Sequence, residues 1–212
     1  ASDNHVGPAA NIMLRISSGA LFRPNMLRRL IATDSARISD RGGAIIRGAL
    51  SGKEIHLPPA EGAVGPTATG IDTYKKAIYC PVSHILRTST HVGTDDSGAI
   101  VKGNVGDGPG LVSTDEARVL AHNSALRLLS TIHHALDGDL SRVEQVLKLT
   151  GFVKGADDFG AHGAVINACS EVFIEAFGPD RGVGVRVCSG PGSLIGAVSC
   201  DVELRVRPPS GN

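Results

Sequence analysis

The sequence predicts an α+β domain at residues 61–208, in which two helices pack on one face of a mixed sheet. Three observations lead to this fold class. β-rich and helical runs follow one another in the order strand, strand, helix, strand, helix, strand, strand. The two helical runs each carry an apolar stripe, and the strand between them is largely apolar. Helices collected on one face of a sheet form a two-layer domain.

The predicted strands before the first helix are short. Residues 75–82 have the composition of a strand, with Pro81 near its end. Residues 95–98, Asp-Asp-Ser-Gly, are a turn signal, and residues 99–103 are predicted to form a short strand after it.

Two helices are predicted from their start and stop signals. Ser113 and Glu116 form a capping box, and apolar residues at helical spacing then continue to a stop near Gly138. The second helix is predicted to start at residues 158–159 and to end at Gly178. Apolar residues 143–153 predict a buried strand between the helices, and β-rich runs at 183–188 and 197–206 complete the domain.

An arginine-rich extension is predicted at residues 1–60, and residues 209–212 form a short tail. Seven arginines and two acidic residues lie between Met13 and Arg47, although the whole chain has a formal net charge of zero. Such an Arg-rich, Ser-containing, acid-poor segment is typical of a mitochondrial transit peptide and predicts the matrix as location. Either the extension is retained as an ordered arm, or an earlier presequence has been cleaved off and the extension belongs to the mature chain. A retained arm would lie on a partner protein or an RNA phosphate surface, or form a helix that packs on its own domain. The arginines that could reach a partner are Arg15, Arg23, Arg28 and Arg29.

No metal or cofactor site is predicted. The four cysteines follow no ligand spacing and lie in apolar runs, which indicates buried free thiols in a reducing compartment. His133 and His134 are adjacent on a helix, where their side chains point apart. No run is long and apolar enough for a membrane span. A low aromatic content and the lack of a recognisable catalytic pair in the sequence argue against ribonuclease activity.

Several segments resemble the Rid family (YjgF-like, also labelled L-PSP endoribonuclease-like), in particular its larger-helix subgroup. Residues 146–159 are similar to the family's strand-to-helix junction, VLKLTGFVKGADDF here. Residues 165–178, with Val-Ile-Asn followed by Phe and Phe-Gly, match its second helix. Residues 64–72 resemble its Gly-Pro entry. The resemblance covers about two thirds of the chain and is carried by the order and spacing of the motifs.

The resemblance implies a chorismate-mutase-like fold and a trimer, homomeric or mixed, with ligand clefts between subunits. It also implies a chemistry, the hydrolysis of enamines and imines to keto acids and ammonia. An arginine anchors the substrate carboxylate in two hydrogen bonds, and a glutamate fifteen residues later, on the adjacent strand, orients the water. Counted back without gaps from Asp201-Val202-Glu203, the resemblance places the arginine at Arg186. The same alignment puts Asp201 at the glutamate position, and Glu203 follows two residues later on the same strand face. Arg181 is the competing arginine if the strand slips.

Several departures from the family pattern surround this predicted cleft. Thr67 replaces a tyrosine, and Cys80-Pro81-Val82 replaces a Ser-Gly-Gln strand end, so that a proline stands where an N–H donor is expected. Asp201 shortens the acid/base arm by one methylene. These changes predict a catalytically degenerate subunit of a larger assembly. A working imine deaminase and a sensor of small carboxylates, with Thr67 and Cys80 beside Arg186 in the binding site, remain the alternatives.

Overall fold

A computed structural model of the chain describes residues 37–38, 43–60 and 74–209. The predicted residues Arg15, Arg23, Arg28, Arg29 and Thr67 lie outside the described residues. The α+β class and the two-layer arrangement are confirmed, because two long helices lie against one side of a six-stranded mixed sheet.

The described elements are bounded as follows. The strands are β1 Arg37–Ile38, β2 Ala44–Arg47, β3 Glu54–His56, β4 Ala77–Cys80, β5 Ile85–Thr88, β6 His91–Val92, β7 Val143–Val153, β8 Val185–Ser189 and β9 Val198–Val206. The helices are α1 Thr114–Ala135, α2 His162–Phe177 and the single turn α3 Pro179–Gly182, with a 3₁₀ turn at Leu140–Arg142.

The larger sheet has the order β4-β5-β9-β7-β8, and β6 also pairs with β9. Strand β8 runs parallel to β7, and the other pairs are antiparallel. The parallel step needs a crossover, which α2 supplies between β7 and β8. The two longest strands, β7 and β9, therefore lie side by side in the interior of the sheet.

The core lies between this sheet and the two long helices. Strand β9 contributes every second residue to it, with Val198, Cys200, Val202, Leu204 and Val206 all nearly inaccessible to solvent. This alternation is the signature of a strand buried on one face only. The helices contribute residues at helical spacing, among them Leu128, Ile132, Val165, Cys169 and Phe173.

Helix α1 begins as its sequence predicts. The Ser113 hydroxyl accepts a hydrogen bond from the Glu116 backbone N–H at 3.2 Å, and the Glu116 carboxylate accepts from the Ser113 backbone N–H at 2.8 Å. The capping box is thus complete. Gly138, with φ of +85°, follows the helix in the left-handed conformation that a stop signal favours.

Two element predictions are wrong. Residues 99–103 form no strand, because Gly103 adopts φ of +131° and only one bridge, from Ile100 to Thr94, is made. The second strand is instead Ile85–Thr88, joined to β4 by a tight turn in which His84 has φ of +55°. Helix α2 starts at His162 rather than at 158–159, since the Phe159 N–H closes a turn onto the Ala156 carbonyl.

Part of the predicted extension packs on the domain. Strands β2 and β3 form a hairpin that buries Ile46 and Leu57 in the core. The Ser51 hydroxyl donates to the Glu175 carboxylate at 2.6 Å, and the Leu50 N–H donates to the Glu175 carbonyl at 3.2 Å. Residues 43–57 therefore cover the end of α2 as a β-hairpin, whereas the alternative of packing on its own domain expected a helix. The domain limit at residue 61 stays a prediction.

In the described part of the chain, no helix combines the length and apolarity needed to cross a bilayer.

Replacing Ser113 with alanine should lower the free energy of unfolding by about 1 kcal/mol, because the first turn of α1 loses its side-chain cap. Urea unfolding measures the difference. The exposed Ser193→Ala, in the loop before β9, is the matched control and should have little effect. Equal stabilities for wild type and Ser113→Ala would show that the capping box contributes nothing.

Candidate functional site

The pairing of β7 with its two neighbours decides on which side of the sheet each predicted site residue lies. Leu149 pairs with Val202 of β9 and with Arg186 of β8. Directly paired residues share a face of a sheet, and successive residues alternate between faces. Since Leu149 and Val202 belong to the core, Arg186 lies on the side of the sheet that carries the helices.

The Arg186 guanidinium is held by helix α2. Its Nη1 donates to the Asn167 carboxamide oxygen at 2.7 Å and to the Ser170 hydroxyl at 3.3 Å. Burial raises the pKa of the nearby Cys188 thiol, and the positive charge of Arg186 opposes that rise. Among the described residues, no carboxylate forms an ion pair with Arg186. One arm of the guanidinium is therefore oriented by neutral groups, and its charge is not compensated.

Asp201 and Glu203 lie on the opposite, helix-free face. Asp201 pairs with Thr150, and its carboxylate accepts from the Thr90 hydroxyl at 3.3 Å. Burial raises the pKa of Asp201, and the hydrogen bonds from Thr150 and Thr90 oppose that rise only in part. Glu203 forms an ion pair with Arg87 at 3.3 Å, partly exposed to solvent. A half-buried carboxyl with a raised pKa is the kind of group that proton transfer uses.

The structure does not bring the predicted arginine and carboxylates together within one chain. The expectation that Arg186 and Asp201 lie on adjacent strands is wrong, because β7 separates β8 from β9, and within one chain the two side chains face opposite sides of the sheet. Asp201 and Glu203 do share one face, as predicted. The roles of Arg186, Asp201 and Glu203 in binding or catalysis stay predictions.

The competing arginine, Arg181, has a structural role. Its Nε donates to the Phe177 carbonyl at 3.2 Å and its Nη1 donates to the Val143 carbonyl at 3.1 Å. These bonds tie α3 to the end of α2 and to the start of β7. With its donors directed at backbone oxygens, Arg181 is not oriented to hold a substrate carboxylate.

Cys80 is the last residue of β4, directly before the turn that Pro81 begins. It pairs with Ile85, which pairs with Arg205, so that it lies on the helix-free face with Asp201 and Glu203. The Ser83 side chain and backbone lower the pKa of the Cys80 thiol by hydrogen bonding. Cys80 is thus on the other side of the sheet from Arg186.

A cavity of about 380 Å³ opens on the helix side, between α2 and the edge strand β8. Apolar side chains form most of its wall, and polar groups of α2 and β8 complete it. The lining includes Val146, Leu149, Phe173 and Ile174 together with Asn167 and Arg186. Sequence reasoning missed this cavity, although Asn167, Ser170, Glu171 and Ile174 follow the i, i+3, i+4, i+7 spacing of one helix face.

The helix-free face carries apolar side chains at its two edges. Ile78 on β4 is 55% exposed, and Val185 and Val187 on β8 are 69% and 45% exposed. The register places Val185 beside Lys148 and Val187 beside Thr150, on the same face as Asp201. A charged centre with apolar edges is therefore open to solvent in the single chain.

Among the described residues, no group of three or more histidine, cysteine, aspartate or glutamate side chains is arranged to hold a metal ion. Cys169 and Cys200 are buried against each other between α2 and β9, and burial raises the pKa of the Cys169 thiol well above its ordinary value. These thiols pack as small apolar groups.

Asp201→Asn should become more stable relative to wild type as the pH rises. Burial raises the folded-state pKa of Asp201, so wild type has its full stability below the ordinary value of 3.8 and loses part of it as this carboxyl ionises. The asparagine side chain does not ionise, so the variant does not lose stability in this way as the pH rises. Urea unfolding between pH 3.5 and pH 8 measures the difference, and a difference that stays flat or moves the other way would contradict the raised pKa.

Comparison with known proteins supports the fold. No protein-family model matches the chain. A curated protein of Trypanosoma cruzi, TCP17, is 29% identical over 122 residues, which are 58% of this chain and 74% of TCP17.

Two solved structures are similar at a TM-score of 0.59. The Agrobacterium tumefaciens protein Atu1372, whose function is unknown, is 26% identical and is matched over 65% of this chain and 85% of its own. A candidate endoribonuclease of Shewanella oneidensis is 17% identical and is matched over 71% of this chain and 91% of its own. At 17% identity the second likeness concerns the fold alone. The described domain thus has the fold of the Rid (YjgF-like) family, as its motifs predicted.

Proposed function

We propose that this chain is a catalytically degenerate Rid-fold subunit that acts as a structural or binding component of a larger, mitochondrial assembly. The observation that carries the proposal is the open, apolar-edged face of the sheet. A two-layer domain normally buries one sheet face under helices and leaves a polar face to water. Here, large apolar side chains stay exposed on the face that no helix covers.

A single row of paired residues across five strands illustrates the character of this surface. The row runs Ile78, Arg87, Glu203, Lys148, Val185 from one edge of the sheet to the other. The charges in the middle alternate in sign, and the apolar residues lie at both ends. A second copy could meet such a row with apolar contacts at the edges and ion pairs in the centre.

Copies of this chain, or of related subunits, are the partners that this face fits best. Identical copies favour closed symmetric assemblies. The trimer implied by the Rid resemblance joins subunits through their sheets, and a face with apolar side chains at both edges can contact a different neighbour on each side. The proposed assembly is therefore a trimer, homomeric or mixed.

Loss of catalysis is proposed from the chemistry of the predicted site. Pro81 stands at the strand end where the family pattern has a glycine with an N–H donor. Asp201 also has a shorter side chain than the glutamate of the family. A misplacement of about 1 Å at a catalytic group can lower a rate by about a hundredfold.

The proposed location and the wider partner follow from the extension. Its arginines, Arg15, Arg23, Arg28 and Arg29, suit an acidic protein surface or RNA phosphates, and its composition suits mitochondrial import. Import into isolated mitochondria, followed by protease protection, tests the location. A chain that stays outside and is digested would contradict it.

Val185→Glu should dissociate the assembly, because the substitution replaces an apolar contact at the edge of the face with a charged side chain that the interface would have to desolvate, even with Lys148 beside it. Burial of such a charge costs several kcal/mol, so association should weaken by about a hundredfold or more. Sedimentation velocity of the full chain should show a species of about three 21.8 kDa chains for wild type and a single chain for the variant.

Val119→Glu is the matched control, since Val119 is an exposed valine on α1 outside the helix-free face. It should sediment like wild type. A wild-type protein that sediments as one chain at micromolar concentration, or a Val185→Glu variant that stays assembled, would contradict assembly through this face.

Imine hydrolysis is the second candidate, and the raised pKa of Asp201 is the observation that favours it. The assay follows pyruvate and ammonia released from freshly generated 2-aminoacrylate. With a degenerate site, we expect release at the rate of the buffer alone. Release that is faster than in buffer and is abolished by Asp201→Asn and by Arg186→Ala would establish the deaminase instead.

A further inference from the structure

We propose that His91 is a pH-sensitive latch, whose protonation releases the short strand β6 from helix α1 and uncovers the edge of β9. The latch lies within a single chain, so it does not depend on the proposed assembly. Strand β6 contains only His91 and Val92, which pair with Cys200 and Ser199 of β9. Because so short a strand has little stability of its own, it depends on the groups that attach it to its neighbours.

Three side chains of α1 attach β6 to the helix. The Ser124 hydroxyl donates to the His91 carbonyl at 2.8 Å, and Arg127 Nη1 donates to the Val92 carbonyl at 2.6 Å. The Thr131 hydroxyl lies 2.8 Å from His91 Nε2. Since positions 124, 127 and 131 lie on one face of the helix, β6 is attached along two successive turns of α1, and the imidazole is one of the attachment points.

The hydrogen bonds of the imidazole fit its neutral form. His91 is only 1% exposed. Its Nδ1 lies 2.9 Å from the Ser89 carbonyl oxygen, which can only accept, so Nδ1 carries the proton. Nε2 then accepts from the Thr131 hydroxyl. Both ring nitrogens are therefore satisfied without a second proton, and protonation of the closed form would bury a charge.

The charged groups around His91 do not compensate such a charge. Arg127 approaches from α1, and Lys76 approaches from the segment before β4. Strand β9 faces the ring with the neutral thiol of Cys200, whereas Asp201 lies on the opposite face of the sheet. Among the described residues, no carboxylate forms an ion pair with His91. Burial lowers the pKa of His91, Lys76 lowers it further, and the bond to the Ser89 carbonyl opposes this only in part.

The latch opens as the pH falls below 6.5, the ordinary pKa of histidine. An opened His91 takes up a proton near this pH, whereas the closed form stays neutral to lower pH, so protons favour the opened form. Opening uncovers the edge of β9 at Ser199 and Cys200 and withdraws the Thr90 hydroxyl from Asp201. An unpaired strand edge is a template for pairing with another strand.

Hydrogen exchange of the full chain, followed by NMR at pH 7.5 and pH 5.0, measures the opening. The Gly93 N–H donates to the Val198 carbonyl of β9 at 2.8 Å. Its protection factor, which corrects for the intrinsic effect of pH on exchange, should fall by about fivefold or more at pH 5.0. Leu149 in the sheet interior should stay at least about tenfold better protected than Gly93, because β6 opens without unfolding of the domain.

Two variants test whether His91 is the titrating group. His91→Gln can still donate to Ser89 and accept from Thr131 but does not ionise, so Gly93 should be equally protected at both pH values. Lys76→Gln leaves the buried ring intact. Because the closed form then accepts a proton more readily, the loss of protection should be about twofold smaller than in wild type. Lys75→Gln, which removes the same charge at the exposed neighbouring position, should behave like wild type.

The proposal is overturned if Gly93 in wild type is equally protected at both pH values, or if Leu149 at pH 5.0 is no better protected than Gly93. It is also overturned if the loss of protection is the same in wild type and His91→Gln, or is the same in wild type and Lys76→Gln. An NMR spectrum that places the imidazole proton of His91 on Nε2 at pH 7.5 would contradict the hydrogen bonds on which the latch depends.

Discussion

The antiparallel register between β7 and β9, with β8 on the far side of β7, is the constraint on which the rest of the domain depends. Because side chains alternate along a strand, a shift of one residue would move every side chain of β9 to the other face. The observed register sets Leu149 opposite Val202 and Thr150 opposite Asp201. The register shifts between Val143 and Gln145 and between Val146 and Lys148 adjust the pairing near the start of β7.

This register gives the two faces of the sheet different chemistry. The helix side contains the core, the oriented Arg186 and the cavity beneath α2. The helix-free side contains Asp201, the Arg87–Glu203 ion pair and the exposed apolar edges.

The elements that depend on residues close to one another in the sequence were predicted correctly. The capping box at Ser113 and Glu116 and the apolar stripe of α2 lie within single elements, so sequence periodicity was sufficient to find them. Strand β5 was missed because it is only four residues long and depends on its partners β4 and β9 for stability. Residues 99–103 have strand-like composition, but positive φ at Gly98 and Gly103 interrupts the extended chain.

The candidate site could be predicted only in part, because it depends on contacts between distant residues. Because β8 and β9 follow one another in the sequence, we expected them to be neighbours in the sheet, with Arg186 and Asp201 close together. The parallel crossover through α2 places β7 between them instead. The cavity is bounded by residues from β7, α2, α3 and β8, and no single segment contains a signal for it.

Association through the helix-free face can be tested most directly by native mass spectrometry of wild type, Val185→Glu and the control Val119→Glu. We expect a species of three 21.8 kDa chains for wild type and Val119→Glu, and a single chain for Val185→Glu. A wild-type protein that is a single chain, or a Val185→Glu variant that stays assembled, would contradict this role of the face.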